Sequence, residues 1–306
     1  MARDDGRKSD VAAKTRQVYA DIHERQIVEG TEKRLPGYVE LLNLDVSGLR
    51  CLDFGAGSTG RDAIRLLTAG AVDVVLVDVG YDWMDIARRE LERAGFSPDQ
   101  YSFAEANNWL ATAERDQYDF IACNGVLHHV ENPDAVMAVI AASLRPSAHF
   151  FLSVIGKGGI LRDFVMHTLR DHYASNDDFR AFMNGEPDEM VTAVRGALHS
   201  LAVDRDRPLV EPFAQLLSIL ASGIDVDLVL TLKDRINSPI YREYNMEMAE
   251  EMLKKYGLTP IQRIYTAPEY GNLRMILEPV YAHPDRPLSR ALMGSGDLHL
   301  LARKAK

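Results

Sequence analysis

The stretch CLDFGAGSTGRD, residues 51–62, constrains the fold more than any other part of the chain. An apolar run, LRCLDF, stops on three closely spaced glycines, Gly55, Gly57 and Gly60, and a helix-like run, RDAIRLLTAG, follows. A strand that turns this tightly into a helix needs residues that tolerate left-handed backbone and let a ligand approach the main chain. The same rhythm then repeats. AVDVVLVDV, YSFAEA, YDFIACNGV and AHFFLSVI read as strands, and DWMDIARRELERAG reads as an amphipathic helix. NPDAVMAVIAASLRP reads as a second helix, capped by Asn132 with Pro133 at its first position. LTPIQRIYTA and GDLHLLARK close the pattern as two more strands after the helix NMEMAEEMLKKYG. Strands separated by helix-length connections make βαβ units, so the expected fold class is α/β, a doubly wound, mostly parallel sheet.

Two segments lie outside this alternation. Residues 9–45 read as helical, and residues 158–240 contain helix-like stretches with little strand signal. The expected domains are therefore an N-terminal helical lid at 1–45, a ligand-binding core at 46–157 and 241–306, and a helical cap inserted at 158–240. The segment PEYGNLRMILEPVYAHPDRPLSRALMGS reads as a looser second cover. With 46% apolar and 26% charged residues the chain has the composition of a soluble globular protein. No apolar run reaches the ~18 residues of a membrane span, and the N-terminus lacks an apolar signal region. The two cysteines, Cys51 and Cys123, fall in strand-like runs and read as buried thiols. Together these features point to a cytoplasmic protein without a membrane partner. The formal net charge is −10, and Lys and Arg are interspersed with Asp and Glu. Nucleic-acid binders carry basic patches, so the charge argues against such a partner and for a small-molecule substrate.

The glycines alone do not choose the ligand, because G-x-G-x-x-G turns serve more than one adenosine-bearing cofactor. A nicotinamide dinucleotide would bring a pyrophosphate to the turn, and a carboxylate there would repel it. Asp53 is a carboxylate at the end of the first strand. It would attract a cationic ammonium or sulfonium instead. Asp78, eighteen residues after Gly60, is placed for ribose hydroxyls under either reading.

LDFGAGSTG, VVLVDV, AEAN, YDFIACNGVLHHVENPDAV and LRPSAHFFLSV occur in the order and spacing of the class I S-adenosylmethionine-dependent methyltransferases. The chain resembles most the small-molecule type with LHHV after the fourth strand. The resemblance covers roughly residues 49–156 and, more weakly, 241–306. It implies a Rossmann-like, seven-stranded sheet ending in an antiparallel strand, with S-adenosylmethionine as cofactor and S-adenosylhomocysteine as product. Asp53 and the Gly55, Ala56 and Gly57 backbone would line the methionine part of the cofactor. Asp78 would take the ribose hydroxyls, and Val79 would lie beside the adenine. Glu105 would meet the adenine amine, with Ala106 offering backbone contact. Asn124 and Gly125 would sit under the reacting methyl. The sequence departs from the family pattern at Thr59–Gly60, where the third glycine comes one residue late, and at RPSA, Arg145 to Ala148, where relatives have RPGG.

Methyl transfer from a sulfonium is an in-line displacement on an activated donor, so positioning carries much of the catalysis. A hydroxyl acceptor also needs a base. His128 and His129 follow the fourth strand, where ligands of doubly wound sheets lie. On an extended segment adjacent side chains point opposite ways, so at most one of the pair is expected to face the substrate. Tyr19 on the N-terminal helix is the third catalytic candidate. Substrate candidates are Asp234, Tyr241 and Tyr244, in the linker DRINSPIYREY, and His167 in the inserted region. No residue cluster has metal-ligand spacing, so metal-independent chemistry is expected.

The main expectation is a small-molecule O-methyltransferase, of specialised metabolism, with a homodimer as an open assembly. Its rivals are an N- or C-methyltransferase of a small molecule, a tRNA wobble-base methyltransferase, a non-catalytic cofactor-binding regulator, and a nicotinamide dehydrogenase.

Overall fold

The computed structural model describes residues 15–19, 38–80, 83–203, 211–265 and 271–306. The described chain divides into two compact units. One comprises Met1–Gly158, Pro239–Tyr265 and Gly294–Lys306, and the other Gly159–Ser238 and Thr266–Met293.

The first unit is built on a seven-stranded sheet. Its strands are β1 (Arg50–Phe54), β2 (Asp73–Asp78), β3 (Tyr101–Glu105), β4 (Tyr118–Asn124), β5 (Leu144–Ile155), β6 (Leu258–Ile264) and β7 (Asp297–Lys304). They lie in the order β3-β2-β1-β4-β5-β7-β6. The five strands β3 to β5 pair in parallel, and β7 runs antiparallel between β5 and β6. This is the doubly wound, Rossmann-like sheet with one antiparallel strand that the sequence implied. Strands such as DVVLVD and YDFIACN are almost wholly buried because helices cover both faces. One buried layer gathers Leu52, Val77, Ile121, Met137, Phe150 and Leu300. The opposite layer gathers Cys51, Leu66, Leu76, Leu91, Phe120 and Phe151, with Tyr38 stacked on Phe151 at 4.3 Å.

Three local expectations are corrected. The helix beginning at Pro133 ends at Ser143 instead of running through Arg145, and β5 starts at Leu144. Pro146 explains it: the residue before a proline is driven out of the helical region, and Ser147 then takes a positive φ of 66°. LHH is not extended but forms a 3₁₀ turn, Leu127–His129. DRINSPIYREY is not one linker. Asp234 ends up inside the helix Val226–Asn237 of the second unit, while Tyr241 and Tyr244 belong to the first. Asp225 caps that helix by accepting from Leu228 N at 2.8 Å, and Val226, Val229, Leu230 and Ile236 form its buried stripe. Most of the helix expected over residues 9–45 lies outside the described residues; 15–19 and Tyr38–Leu42 are helical.

The second unit is helical among its described residues. Pro187–Ala202 packs on Glu211–Ser222 and on Val226–Asn237. Asn272 and Asp225 tie the segment from Leu273 to Leu277 to the last of these, through an Asn272 Nδ2 to Asp225 Oδ1 bond of 2.9 Å. No single described helix is long and apolar enough to cross a membrane.

Candidate active site

The parallel strands place their last residues side by side. Glu105, Asp78, Phe54 and Asn124 end β3, β2, β1 and β4, which are neighbours in that order. Asp78 and Glu105 are register partners, and Asp53 precedes Phe54 on the central strand. Three acids and an amide therefore share the carboxyl edge of the sheet, where a doubly wound fold holds its ligand.

The glycine turn crosses this edge. Gly55, Gly57 and Gly60 all have positive φ, at 82°, 63° and 57°. At Gly55 a side chain is excluded twice over, since a Cβ would also lie 2.0 Å from Val126 Cγ2. Gly55 and Ala56 N–H both donate to Val77 O, at 2.7 and 3.2 Å. The turn is thereby fixed to β2. Gly57 N–H donates to Asp78 Oδ2 at 2.8 Å, and Gly80 N–H to Asp78 Oδ1 at 3.2 Å. Val79 beside Asp78 is half-buried.

Asp53 is buried, 1% exposed, and its Oδ2 has no hydrogen-bond partner among the described residues. Burial raises its pKa well above the ordinary 3.8, and the charges of Asp62 and Asp78 raise it further. Asp62 escaped the sequence reading. It lies in the first turn of the helix Arg61–Thr68, pairs with Arg65 at 3.1 Å, and accepts the Asn124 side-chain amide at 2.7 Å. An acid within the first turn of a helix after a glycine loop is a common dipole partner and carries no long-range signal.

Glu105 is the N-cap of Ala106–Thr112. It accepts Asn108 N–H at 2.9 Å and Asn107 Nδ2 at 3.0 Å, and Arg16 reaches it at 3.4 Å. Ala106 is buried at the start of that helix. Gly125, φ 76°, is exposed, and a Cβ there would meet nothing within 4 Å. Asn124 and Gly125 thus border open space beside the turn.

The 3₁₀ turn brings the catalytic candidates together. The His128 and His129 rings are 4.0 Å apart, so both lie in one cluster, contrary to the alternation expected of an extended segment. Tyr241 meets them edge-on at 5.8 and 5.6 Å, and Tyr19 meets His129 at 5.5 Å. His128 is buried, whereas His129 is half-buried. His129 Nδ1 lies 3.0 Å from Ile240 O. Tyr244 is buried three residues beyond Tyr241, and burial raises its phenol pKa. The other two substrate candidates belong to the second unit. Asp234 is half-buried within its helix, and His167 is exposed with Nε2 4.0 Å from Asp163 Oδ1.

A carboxylate-rich floor suits a ligand that brings positive charge. The orphaned buried oxygen of Asp53 and the Asp62 and Asp78 carboxylates fit S-adenosylmethionine, whose ammonium and sulfonium are cationic, and disfavour a pyrophosphate. Fold and site together define a class I S-adenosylmethionine-dependent methyltransferase. Comparison with known proteins agrees. A family model described as "Methyltransferase domain" matches residues 22–185, over half of the chain, and the chain belongs to that family. A Ubiquinone biosynthesis O-methyltransferase of Acinetobacter baylyi is 26% identical over 197 residues, 62% of this chain and 79% of that protein. Its namesake in Pectobacterium atrosepticum is 30% identical over 121 residues, 40% of this chain and 48% of that protein. An uncharacterized Synechococcus protein is 30% identical over 117 residues, 38% of this chain and 25% of that protein. The chain spans about half the length of most curated relatives it matches. The solved structure of Burkholderia thailandensis 1,6-didemethyltoxoflavin-N1-methyltransferase, with 1,6-didemethyltoxoflavin and S-adenosylhomocysteine bound, shares the fold. It has a TM-score of 0.51 and 17% identity, over 98% of this chain and 90% of that one.

Proposed function

We propose that this methyltransferase acts on a hydroxyl group of a small organic molecule and that His129 is the general base. The bound cofactor supplies an activated methyl group. The observation that carries the reading is the cluster of His128, His129, Tyr19 and Tyr241 immediately after Asn124 and Gly125. A hydroxyl is a poor nucleophile until a base takes its proton, whereas an amine needs no such partner. A carbonyl oxygen only accepts, so the Ile240 contact puts the proton of neutral His129 on Nδ1. Nε2 then carries the lone pair a base requires. Tyr19 and Tyr241 offer aromatic surface to an organic acceptor, and the substrate role of Tyr244 belongs to the same proposal. The name O-methyltransferase borne by the Acinetobacter and Pectobacterium relatives supports the choice of oxygen. Asp53 and Asp78 hold the cofactor in this reading, with Glu105 near the adenine.

Calorimetric titration with S-adenosylhomocysteine and with NAD tests the cofactor half: binding of the first alone is expected, and binding of NAD alone overturns it. Incubation with methyl-labelled S-adenosylmethionine and a panel of small phenols, carboxylic acids and amines tests the acceptor half. Label confined to amines would reject oxygen.

A further inference from the structure

We infer that the segment Ile240–Tyr244 is a strap that selects the tautomer of His129, and that Arg242 is the positioning residue that holds it. The inference deepens the base reading above and rests on it only for its catalytic meaning.

The strap has two anchors. At one end Arg242 N–H donates to His128 O at 2.9 Å. Its guanidinium donates through Nη1 to Val130 O at 2.9 Å and through Nη2 to Glu131 O at 2.8 Å. A planar fork matches two successive carbonyls, and the point charge of a lysine does not. At the other end Tyr244 N–H donates to Ile155 O at 2.9 Å, and Lys157 N–H donates to Tyr244 O at 2.8 Å. The chain there passes Gly156, where a Cβ would lie 1.7 Å from Gly296 O. The strap therefore bridges the turn after β4 and the end of β5, which are adjacent parallel strands. Just ahead of the Arg242 anchor the Ile240 carbonyl faces His129 Nδ1 at 3.0 Å, and the Tyr241 ring stands against both histidines.

An unrestrained neutral histidine favours the proton on Nε2, which would leave the wrong nitrogen basic. A fixed carbonyl at Nδ1 reverses that preference. Arg242 sets the register of the strap against the main chain on both sides of the ring.

The test is nitrogen NMR of the histidine rings in the uniformly ¹⁵N-labelled full chain, at a pH where imidazole is neutral. His129→Gln identifies the His129 signals among the nine histidines. The expected wild-type pattern is protonated Nδ1 and unprotonated Nε2. Arg242→Ala should move it to the Nε2-protonated or averaged pattern while S-adenosylhomocysteine affinity stays within about twofold. Where Arg242→Ala does not fold, Arg242→Lys decides, and the same change is expected because one ammonium cannot span both carbonyls. An Nε2-protonated ring in the wild type overturns the strap, and an unchanged tautomer in the deciding variant overturns the role of Arg242. Failure of the base reading looks different: His129→Gln would keep methyl transfer while the tautomer result stood.

Discussion

The Asn124 side-chain amide donates to Asp62 Oδ2 at 2.7 Å, joining the end of β4 to the first turn of the helix that follows the glycine turn. The bond fixes more than its own two residues. It holds the exposed Asn124 amide in one orientation beside Gly125. Asp62 also adds a carboxylate to the floor that Asp53 and Asp78 supply, partly neutralised by Arg65. Replacing Asp62 with Ala removes a charge-assisted hydrogen bond and one carboxylate of that floor. S-adenosylhomocysteine binding should weaken by about 1–2 kcal/mol, roughly 5- to 30-fold. Calorimetry of the variant checks this, and an unchanged affinity would place Asp62 outside the cofactor site.

Asp53 should trade stability against binding. Its folded pKa is raised, first by burial and then by Asp62 and Asp78, so the folded state holds the proton more tightly than the unfolded state. Its contribution is fully present below the unfolded carboxylate pKa and is lost as pH rises through the folded value. Asp53→Asn removes that loss. The variant should therefore gain stability over the wild type as pH rises from about 4 towards neutrality, while binding S-adenosylhomocysteine more weakly. Urea unfolding at a series of pH values measures the gain, and a difference independent of pH would show that Asp53 is not a buried, strained acid.

Gly55→Ala meets two obstacles that can be separated. The added Cβ falls 2.0 Å from Val126 Cγ2, and φ is 82°. The clash costs about 1–3 kcal/mol and the left-handed backbone a further ~1–2 kcal/mol. Val126 Cβ would also lie 2.9 Å away, so adding Val126→Gly, which removes the whole side chain, relieves the first and leaves the second. Thermal unfolding should show partial recovery in the double variant; full recovery would mean the backbone conformation at Gly55 carries no strain.

The parts of the carboxyl edge that were legible in the sequence are those set by local pattern. Asp78, Glu105 and Asn124 end their strands and Asp53 stands one residue before the end of β1, and strand ends of the first kind are visible as apolar runs that stop on a polar residue. Gly55, Gly57 and Gly60 announce their turn because few other residues adopt its backbone. What stayed hidden depends on contacts across the chain. Asp62 and Asn124 are 62 residues apart, and Arg242 binds main-chain carbonyls 112 and 111 residues away. A carbonyl partner leaves no trace in residue type, so no motif pointed to Arg242. The helix Val226–Asn237 carried an apolar period and an Asp225 cap that could have been read. Its polar end, DRIN, instead blended into the linker beyond it.

Cys51 and Cys123 should resist thiol reagents in the native state. Both are buried, and burial is the first cause that pushes each thiol up to about 12, with the neighbouring acids Asp119 and Asp73 adding to it for Cys51 and Asp53 for Cys123. The thiolate is the reactive form, and at pH 8 a thiol with that pKa is ionised in only about one molecule in 10⁴. Iodoacetamide at pH 8 should label neither cysteine before unfolding and both in concentrated urea, read by intact mass. Cys123 supplies a further gauge, because it sits on β4 opposite Phe54 of β1, one residue before Asn124. If native labelling does occur at Cys123 and S-adenosylhomocysteine suppresses it, the end of β4 opens in the absence of ligand and the rigid site described for Asn124 is wrong.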